Sequence, residues 1–270
     1  MKLDGCNALI TGASAGIGLE FARQLATRAR SIILVARREE RLAELRDELQ
    51  QQHPHVQVYI RKADLGDPAE RKELLDWLDR EVIDVDFLVN NAGLGDSGPV
   101  ATSDPSRDER MLLVNVLALT LLTRHVLPQM IRKRRGALLN VSSSACFLPM
   151  PGSAVYAATK AYVTSFSEAL RVELRGTGVS VCALCPGPVR TEFQQVASRP
   201  GYHVNPGPGP EFLQVPVEQV VRDALAAMEL DRPLVIPGFA MKLAMLVTRL
   251  MPMPFLRLLL RFSANRGWAV

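Results

Sequence analysis

Short runs of apolar, often β-branched residues alternate with longer stretches of helical periodicity along most of this chain. Nearly continuous apolar runs are typical of strands that are covered on both faces. Repeated strand–helix–strand units require right-handed crossovers and a parallel sheet. The pattern therefore predicts one doubly wound α/β domain with a mainly parallel, seven-stranded sheet. The candidate strands are 6–11, 31–36, 56–60, 86–90, 136–142, 179–185 and 233–238.

The segments between these strands carry signals for helix starts and stops. Asp67 is a candidate N-cap, and Pro68 follows it at the first helical position. Gly176 and Gly178 follow the end of another helical pattern. We expect Pro128 to bend or break a long helix, because proline cannot continue the backbone hydrogen-bond pattern. The candidate helices are 17–28, 38–52, 68–81, 107–133 and 155–175.

The most apolar segment of the chain, 239–262, lies near its C-terminus. Charged residues and prolines interrupt it, so it lacks the roughly 20 uncharged residues of a membrane-spanning helix. We expect a single domain over 1–238, followed by an amphipathic helical extension over 239–270. That extension either covers the substrate pocket or a subunit interface, or lies on a membrane surface. Its cations are Lys242, Arg249, Arg257 and Arg261.

The charge of the chain points to no nucleic-acid partner. A net charge of +4 indicates at most a general attraction for anions. The one dense basic run, 132–135, follows an apolar-periodic segment, so we interpret it as a helix C-terminus where cations offset the helix dipole. A nucleic-acid surface would instead combine a basic stripe with aromatic residues.

The four cysteines are interpreted as structural thiols in a cytoplasmic protein. Cys182 and Cys185 have the C-x-x-C spacing of some redox and metal sites. They lie in a candidate strand, however, where side chains three residues apart point to opposite faces of the sheet. The sequence therefore predicts no metal site. It also shows no signal-peptide pattern at its N-terminus.

A glycine-rich turn follows the first candidate strand and opens the first candidate helix. It reads TGASAGIG, with Gly12, Gly16 and Gly18 in G-x-x-x-G-x-G spacing. Such a turn lets a pyrophosphate approach backbone N–H groups at a helix N-terminus. The strand before the turn and the helix after it indicate a dinucleotide site.

The residues after the second candidate strand favour NADPH over NADH. An NAD site commonly has an Asp or Glu here, which binds the ribose 2′-hydroxyl. This chain has Ala36 and then Arg37. A guanidinium can bind a 2′-phosphate through charge-assisted hydrogen bonds, whereas a carboxylate would repel it. The alternative is that Arg37 and Arg38 form only a solvated helix start.

Tyr156 and Lys160 are one helical turn apart, so they face the same way. A nearby ammonium favours the phenolate form of a tyrosine and so lowers its pKa toward useful acid–base strength. The serines 142–144 follow the preceding candidate strand, and one of their hydroxyls can bind the same substrate oxygen. This arrangement favours acid–base chemistry at an alcohol or carbonyl.

Taken together, these motifs resemble the short-chain dehydrogenase/reductase family, which has a Rossmann fold. The resemblance runs in order, with the family's spacings, through about residue 195. The residues after it carry no family motif. The resemblance rests on TGASAGIG, Asp64-Leu65, NNAG at 90–93, Asn115, Ser143 thirteen residues before Tyr156, YAATK at 156–160 and PGPVRT at 186–191.

The resemblance implies a role for each of four catalytic residues. Tyr156 would exchange a proton with the substrate oxygen, Ser143 would position and polarise that oxygen, and Lys160 would bind the nicotinamide ribose and lower the pKa of Tyr156. Asn115 would hold a water molecule in the proton relay. The hydride belongs to the cofactor.

The resemblance also implies a set of cofactor-binding residues. Asp64 and Leu65 would contact the adenine, Asn91 the adenosine ribose, and residues 186–191 the nicotinamide carboxamide. Ala15 stands where some NADP-dependent members have a basic residue, which leaves 2′-phosphate recognition mainly to Arg37. The full set is Gly12, Ser14, Gly16, Ile17, Gly18, Arg37, Asp64, Leu65, Asn91, Ala92, Gly93, Tyr156, Lys160, Pro186, Gly187, Val189 and Thr191.

The resemblance implies an NADPH-dependent carbonyl reductase, or an NADP-dependent dehydrogenase that oxidises the matching secondary alcohol. The loop at 190–215 and the C-terminal segment carry few charges, which favours a hydrophobic or lipid-like small-molecule substrate. Cys146 stands where many relatives have glycine and is expected to alter the pocket wall. A homodimer or homotetramer is expected through the helices at 107–133 and 155–175. The alternatives are an NAD-linked alcohol dehydrogenase and a non-catalytic cofactor-binding regulator.

Overall fold

A parallel sheet of seven strands, in the order β3-β2-β1-β4-β5-β6-β7, organises the computed structural model, which describes residues 2–81, 83–199 and 211–264. Helices cover both faces of this sheet, so the predicted doubly wound Rossmann fold is confirmed. The strands are β1 Asn7–Thr11, β2 Ser31–Ala36, β3 Gln57–Lys62, β4 Phe87–Asn90, β5 Gly136–Val141, β6 Val179–Leu184 and β7 Leu234–Val235.

The helices lie close to the positions that the periodicity predicts. At the start of the third helix, the Asp67 carboxylate accepts hydrogen bonds from the backbone N–H groups of Ala69 and Glu70, at 2.7 and 3.1 Å, which confirms it as the N-cap. The helices are α1 Gly16–Ala26, α2 Glu39–Gln52, α3 Pro68–Arg80, α4 Pro105–Leu112, α5 Leu119–Lys133, α6 Ala154–Glu173, α7 Phe193–Ala197, α8 Val217–Glu229, α9 Phe239–Leu250 and α10 Met253–Ala264.

The two faces of the sheet bury two separate apolar clusters. Ile10 and Leu34 belong to one cluster, and Leu9 and Ile33, their neighbours in sequence, belong to the other. Side chains alternate between faces along a strand, so a strand buried on both sides must be apolar at every position. This explains the continuous apolar runs of β1 and β2.

The predicted break at Pro128 does not occur. α5 continues through Pro128, and the irregularity instead falls on a π-helical turn, Leu113–Ala118, between α4 and α5. That turn contains Asn115, whose buried side chain bonds to a neighbouring loop. A π turn inserts an extra residue into a helix and is frequent at functional sites. The composite helix Pro105–Lys133 is long and apolar enough to cross a membrane by length and composition.

Much of the apolar surface of that composite helix packs into the core of this domain. Its buried side chains contact the sheet and the neighbouring helices, which is the environment of a core helix in an α/β fold. These side chains are Ala118, Leu122, Val126 and Met130.

The last strand is shorter than predicted. β7 has two residues, whereas the apolar run suggested 233–238. Pro237 lacks the N–H group that a continued ladder would need, and Gly238 has φ of 82°, outside the strand region. The chain turns at these residues into α9. The division into a domain over 1–238 and an extension over 239–270 stays a prediction.

Candidate active site

A cleft with a volume of about 540 Å³ opens at the carboxyl ends of the strands. The strand order reverses between β1 and β4, because the chain continues from β1 toward one edge of the sheet and from β4 toward the other. The loops that follow these two strands therefore diverge and leave a crevice, which is where open α/β sheets bind ligands. The glycine turn lines this cleft together with residues 91–94.

The glycine turn is held against the segment after β4. The Asn91 side-chain amide donates to the carbonyl oxygens of Thr11 and Gly12, at 2.8 and 3.3 Å. A Cβ atom at Gly12 would lie 2.8 Å from Asn91 Nδ2, and one at Gly18 would lie 2.4 Å from it. Glycine is therefore required at both positions for this close approach. At Gly12, φ of 67° also favours glycine.

Asn91 was expected from the resemblance to contact the adenosine ribose. In the structure its amide nitrogen bonds to the glycine turn, so the side chain supports the loop that would bind a pyrophosphate. Thr11 strengthens the same junction, because its hydroxyl accepts the backbone N–H groups of Asn91 and Ala92, both at 3.0 Å.

Arg37 and Arg38 both line the far end of the cleft, but their environments differ. Arg37 is exposed at the rim. Arg38 bonds to the Ser14 hydroxyl at 3.1 Å and forms an ion pair with Glu192 at 2.9 Å. Glu192 also pairs with Arg41 at 2.6 Å. Sequence reasoning missed Glu192, since nothing in its local sequence shows that it reaches the start of α2.

Asp64 and Leu65 line the cleft where the adenine was predicted. The Asp64 carboxylate already has two partners, the Arg110 guanidinium at 2.5 Å and the Gly66 backbone N–H at 2.9 Å. Leu65 is buried beneath it. The pair with Arg110 joins the loop after β3 to α4, so Asp64 helps to shape the wall of the cleft.

Ser143, Tyr156 and Lys160 lie together in the middle of the cleft. Ser143 ends the segment after β5, while Tyr156 and Lys160 lie in the first two turns of α6. The Tyr156 ring contacts Phe193 of α7, with the ring centroids 5.6 Å apart. The helical spacing thus brings the predicted acid–base pair, Tyr156 and Lys160, to the same face of α6. The segment after β5 places Ser143 beside them.

Lys160 is 4% exposed, and its ammonium donates to the backbone carbonyl of Val141 at 2.8 Å. A Cβ atom at Gly93 would lie 3.3 Å from Lys160 Nζ, so glycine leaves room for the ammonium. Burial disfavours the charged form and lowers the pKa of Lys160 to about 8.

The expected lowering of the Tyr156 pKa by Lys160 does not occur in this structure. Burial raises the pKa of Tyr156 to about 12, and the interaction with the Ser143 hydroxyl opposes this rise. Lys160 Nζ lies 5.8 Å from the centroid of the tyrosine ring and is directed at Val141. Desolvation of the phenolate therefore outweighs attraction to the ammonium. The phenol keeps its proton at neutral pH.

Asn115 is 1% exposed and lies behind the cleft rather than on its lining. Its side-chain oxygen accepts the Leu94 N–H at 2.8 Å, and its nitrogen donates to the Leu94 carbonyl at 2.9 Å. The same nitrogen donates to the Thr159 hydroxyl at 3.0 Å. These bonds join the loop after β4 to the turn of α6 that carries Lys160.

The structure brings nearly all the predicted site residues into one cleft. Among the predicted cofactor-binding residues, Gly18 is the exception: it packs against Asn91 and does not line the cleft. Among the predicted catalytic residues, Asn115 is the exception. The predicted residues on the lining are Gly12, Ser14, Gly16, Ile17, Arg37, Asp64, Leu65, Asn91, Ala92, Gly93, Ser143, Tyr156, Lys160, Pro186, Gly187, Val189 and Thr191.

Comparison with known proteins identifies the family. A family model described as short chain dehydrogenase matches residues 6–200. The chain belongs to the short-chain dehydrogenase/reductase family. The resemblance that the sequence motifs indicate is therefore confirmed, and with it the prediction of an oxidoreductase.

Two curated relatives and one solved structure illustrate this likeness. NADP-dependent 3-hydroxy acid dehydrogenase YdfG of Escherichia coli (strain K12) is 40% identical over 190 residues, which cover 70% of this chain and 75% of that protein. The very-long-chain 3-oxoacyl-CoA reductase of Anas platyrhynchos is 33% identical over 204 residues, which cover 73% of this chain and 64% of that protein. The chain spans 62% to 75% of the length of curated relatives such as these.

The solved structure of a short-chain dehydrogenase from Sphingobium yanoikuyae in complex with NADPH has a TM-score of 0.79 to this chain. The two are 32% identical, and the match covers 98% of each chain. The likeness thus extends beyond the motifs to the C-terminal part of the fold. The predicted cofactor, NADP(H), agrees with the names of this protein and of the E. coli relative.

The cleft of this family member has the features that a dinucleotide with a 2′-phosphate needs. Its volume lies within the range of roughly 300–1,000 Å³ for small-molecule sites. The glycine turn exposes backbone at the N-terminus of α1, where an anion is favoured. Exposed Arg37 follows β2, where a carboxylate would repel the phosphate. Thr191 closes the cleft from the other side, since a Cβ atom at Gly16 would lie 3.1 Å from its methyl group.

The buried Lys160 should make stability depend on pH in a defined direction. Its pKa is about 8 in the folded chain and 10.5 in the unfolded reference, so between these values the unfolded chain binds more protons. The free energy of unfolding therefore rises with pH in this window. Below about pH 8 the lysine is protonated in both states, so it adds no pH dependence there. Relative to a Lys160→Met variant, the wild type should gain about 3 kcal/mol between pH 7.5 and 10.5.

Urea unfolding without added nucleotide, followed by tryptophan fluorescence, measures this difference at each pH. Lys62→Met, which replaces an exposed lysine of β3, is the matched control, and its difference from the wild type should stay constant. A Lys160→Met difference that is equally constant would contradict the assignment of a desolvated lysine.

Proposed function

We propose that this protein is an NADPH-dependent reductase of a carbonyl group, or an NADP-dependent dehydrogenase of the matching secondary alcohol, that acts on a hydrophobic small molecule. The observation that carries the proposal is the convergence of Ser143, Tyr156 and Lys160 in a cleft whose other end has an exposed arginine in place of a carboxylate. When bound, the cofactor supplies the hydride.

Each end of the cleft has a separate task in this proposal. The backbone of the glycine turn binds the pyrophosphate, and Arg37 binds the 2′-phosphate at the rim. Arg38 is engaged with Ser14 and Glu192, so it supports the shape of the site. Residues 186–189 and Thr191 line the other end and would position the nicotinamide beside Tyr156.

The proton chemistry favours reduction at neutral pH. A phenol with a pKa of about 12 retains its proton and can donate it to a carbonyl oxygen that gains negative charge. The Ser143 hydroxyl lies on the same part of the lining and can donate a second hydrogen bond to that oxygen. Lys160, held by Val141 and close to Gly93, would bind a ribose hydroxyl of the cofactor.

The lining near Tyr156 supports a hydrophobic substrate. It includes several apolar side chains, whereas the charged lining residues other than Lys160 lie toward the adenosine end. These charged residues are Arg37, Arg38, Asp64 and Glu192. A substrate carboxylate or phosphate would need a cation here, and Lys160 is the cation on this part of the described lining. Residues 200–210, part of the loop expected to form the pocket, lie outside the described residues. The apolar lining residues are Leu94, Met150, Phe193 and Val196.

Two alternative functions fit the site less well. An NAD-linked dehydrogenase of the same family would share the cleft, but Arg37 opposes it. A non-catalytic cofactor-binding regulator would share the fold, but such a protein has no need of Ser143, Tyr156 and Lys160 together.

We also propose a homodimer or homotetramer, because α4, the π turn, α5 and α6 expose apolar side chains. These are Leu112, Leu117, Ile131 and Val172.

We further propose a cytoplasmic protein that touches an anionic membrane surface through α9. Met241 and Met245 bury one face of this helix, and Met241 packs against Gly187 of the loop at the nicotinamide end. The opposite face exposes an apolar stripe at helical spacing, including Phe239 at 83% and Leu250 at 75% exposure. This exposed α9 stripe consists of Phe239, Leu243, Leu246, Val247 and Leu250.

Exposed cations flank the exposed α9 stripe. Lys242 and Arg249 lie on α9 beside the stripe, and Arg257 is exposed on α10. Apolar residues with adjacent cations match the acyl boundary and the anionic headgroups of a bilayer. The extension that the sequence predicts over 239–270 would then bring the nicotinamide end of the cleft near a source of apolar substrates.

The first prediction from this function concerns Tyr156. Tyr156→Phe removes the proton donor without changing the shape of the cleft wall, so turnover with an apolar ketone should fall about 10²–10⁴-fold. NADPH affinity should stay within a fewfold of that of the wild type. Both are measured on the purified variant, by NADPH absorbance during turnover and by NADPH fluorescence on binding.

Tyr162→Phe is the matched control, since this exposed tyrosine lies on the same helix and bonds to Thr120. Its turnover should resemble that of the wild type. Wild-type turnover in Tyr156→Phe would overturn the catalytic assignment.

The second prediction concerns cofactor choice. Arg37→Asp should shift the ratio of kcat/KM for NADPH over NADH toward NADH by roughly ten- to a hundredfold, because a charge-assisted contact is lost and repulsion is added. Arg46→Asp makes the same change of charge on α2 but away from the cleft, and its ratio should not move. If both variants keep the wild-type ratio, another residue recognises the 2′-phosphate.

The third prediction concerns the exposed α9 stripe. The intact protein should sediment with vesicles of phosphatidylserine and phosphatidylcholine at low salt, and added salt should release it. Leu246→Glu/Leu250→Glu and a deletion from residue 239, both first shown to be folded and to bind NADPH, should lose this binding. Leu230→Glu, at another exposed leucine, should keep it.

Failure of the intact protein to sediment at low salt would contradict membrane contact. A loss of oligomeric mass in the Leu246→Glu/Leu250→Glu variant would instead assign the stripe to contact between copies of this chain.

A further inference from the structure

Two cysteines that are far apart in the sequence meet beside the reacting groups. Cys146 lies on the 3₁₀ turn Ser144–Phe147, directly after Ser143, and Cys185 follows β6, directly before Pro186. Their sulfur atoms are 4.0 Å apart. Strand geometry argues against Cys182 as a partner of Cys185, and the structure gives Cys185 a different neighbour, from the catalytic serine loop.

Backbone hydrogen bonds hold the two cysteine-bearing segments side by side. The Ser142 N–H donates to the Leu184 carbonyl at 2.7 Å, and the Ser144 N–H donates to the Pro186 carbonyl at 2.8 Å. These bonds flank Cys185 on one strand and lead into the turn that carries Cys146. Closing the sulfur atoms to a bond of about 2 Å therefore needs a local shift of the turn, not a rearrangement of the fold.

The four thiols differ in reactivity, and only this pair combines access with a reactive thiolate. Cys146 is partly exposed, and the hydrogen bond from the Cys185 thiol lowers the pKa of Cys146 to about 7. Cys185 is buried, and the same hydrogen bond raises its pKa. Burial raises the pKa of Cys6 and of Cys182 to about 12, so both stay protonated and unreactive.

We propose that Cys146 and Cys185 form a peroxide-sensitive thiol pair, and that their closure to a disulfide switches off the adjacent active site. Cys146 is the accessible thiol that a peroxide oxidises, and Cys185 is the buried thiol that resolves the product. This regulation of turnover rests on the proposed function, whereas formation of the disulfide does not.

The chemistry balances with hydrogen peroxide as the oxidant. The Cys146 thiolate attacks one peroxide oxygen, the O–O bond breaks, and Cys146 becomes a sulfenic acid as hydroxide leaves. The Cys185 sulfur then attacks the Cys146 sulfur, the S–O bond breaks, and the Cys185 proton leaves with the hydroxyl group as water. The two thiols together lose two electrons, which reduce the peroxide. A dithiol returns the two electrons and restores both thiols.

Disulfide formation should disturb the site through the serine loop. The Cys146 N–H donates to the Ser143 carbonyl at 3.1 Å, so a movement of the turn toward β6 also moves Ser143. Pro186, on the other side of Cys185, begins the loop that lines the nicotinamide end. A misplacement of about 1 Å at reacting groups can lower turnover about a hundredfold.

Peroxide treatment of the full-length protein tests this proposal. After treatment, remaining thiols are blocked with an alkylating reagent, and tryptic peptides are analysed by mass spectrometry without reduction. The expected product joins peptide 136–160, which contains Cys146, to peptide 176–190, which contains Cys182 and Cys185. Turnover should fall about a hundredfold as this product forms, and dithiothreitol should restore it.

Three serine variants assign the bond, each compared with its own untreated rate. Cys146→Ser and Cys185→Ser should give no linked peptide and should resist reversible inactivation. Cys182→Ser keeps both thiols of the pair, so it should form the linked peptide and lose turnover as the wild type does. Circular dichroism shows whether each variant is folded. If a serine variant does not fold, cysteine-to-alanine replacements take its place.

Each outcome decides one part of the proposal. Absence of the linked peptide, or its loss in Cys182→Ser, overturns the thiol pair. Formation of the linked peptide without loss of turnover overturns the switch. If the untreated protein reduces no carbonyl compound, the proposed function fails, while the mass of the linked peptides still decides whether the thiol pair exists.

Discussion

The contact between the glycine turn after β1 and the segment after β4 is the constraint on which the site depends. At this junction Asn91 donates to the carbonyls of Thr11 and Gly12, and the Thr11 hydroxyl accepts the N–H groups of Asn91 and Ala92. The junction lies where the strand order reverses, so it fixes the base of the crevice between the loops that follow β1 and β4. Glycine is needed at positions 12 and 18 because Asn91 occupies the space of their Cβ atoms.

From this junction, two long-range connections place the reacting groups. Asn115 ties the loop after β4 to Thr159 in α6, which sets the height of Tyr156 and Lys160 above the sheet. Val141, at the end of β5, accepts the Lys160 ammonium. The acid–base residues are thus fixed by connections to the loop after β4, which lines the crevice, and to the end of the neighbouring strand β5. Burial in this position keeps the Tyr156 phenol protonated, which suits the donation of a proton to a carbonyl oxygen.

Local chemistry explains why much of this architecture could be predicted. Continuous apolar runs, the Asp67 cap and the glycine turn each carry their structural meaning within a few residues, and the motifs for the site lie on loops that such signals locate. Contacts between distant segments carry no such signal. The approach of Cys146 to Cys185 and the ion pair of Arg38 with Glu192 both join distant segments, and neither could be predicted from the sequence. The π turn carries Asn115, whose partners lie on other segments, so no local signal located it and the predicted irregularity was placed at Pro128.

Transfer of hydrogen from the cofactor to the substrate tests the central claim most directly. The full-length protein is incubated with an apolar ketone and NADPH that carries deuterium at the transferable position of the nicotinamide, and the alcohol product is analysed by mass spectrometry. The account predicts one deuterium on the carbinol carbon, and none when unlabelled NADPH is used in D₂O. A product without the label, or with deuterium at that carbon taken from the solvent, would contradict an oxidoreductase that moves a hydride in this cleft.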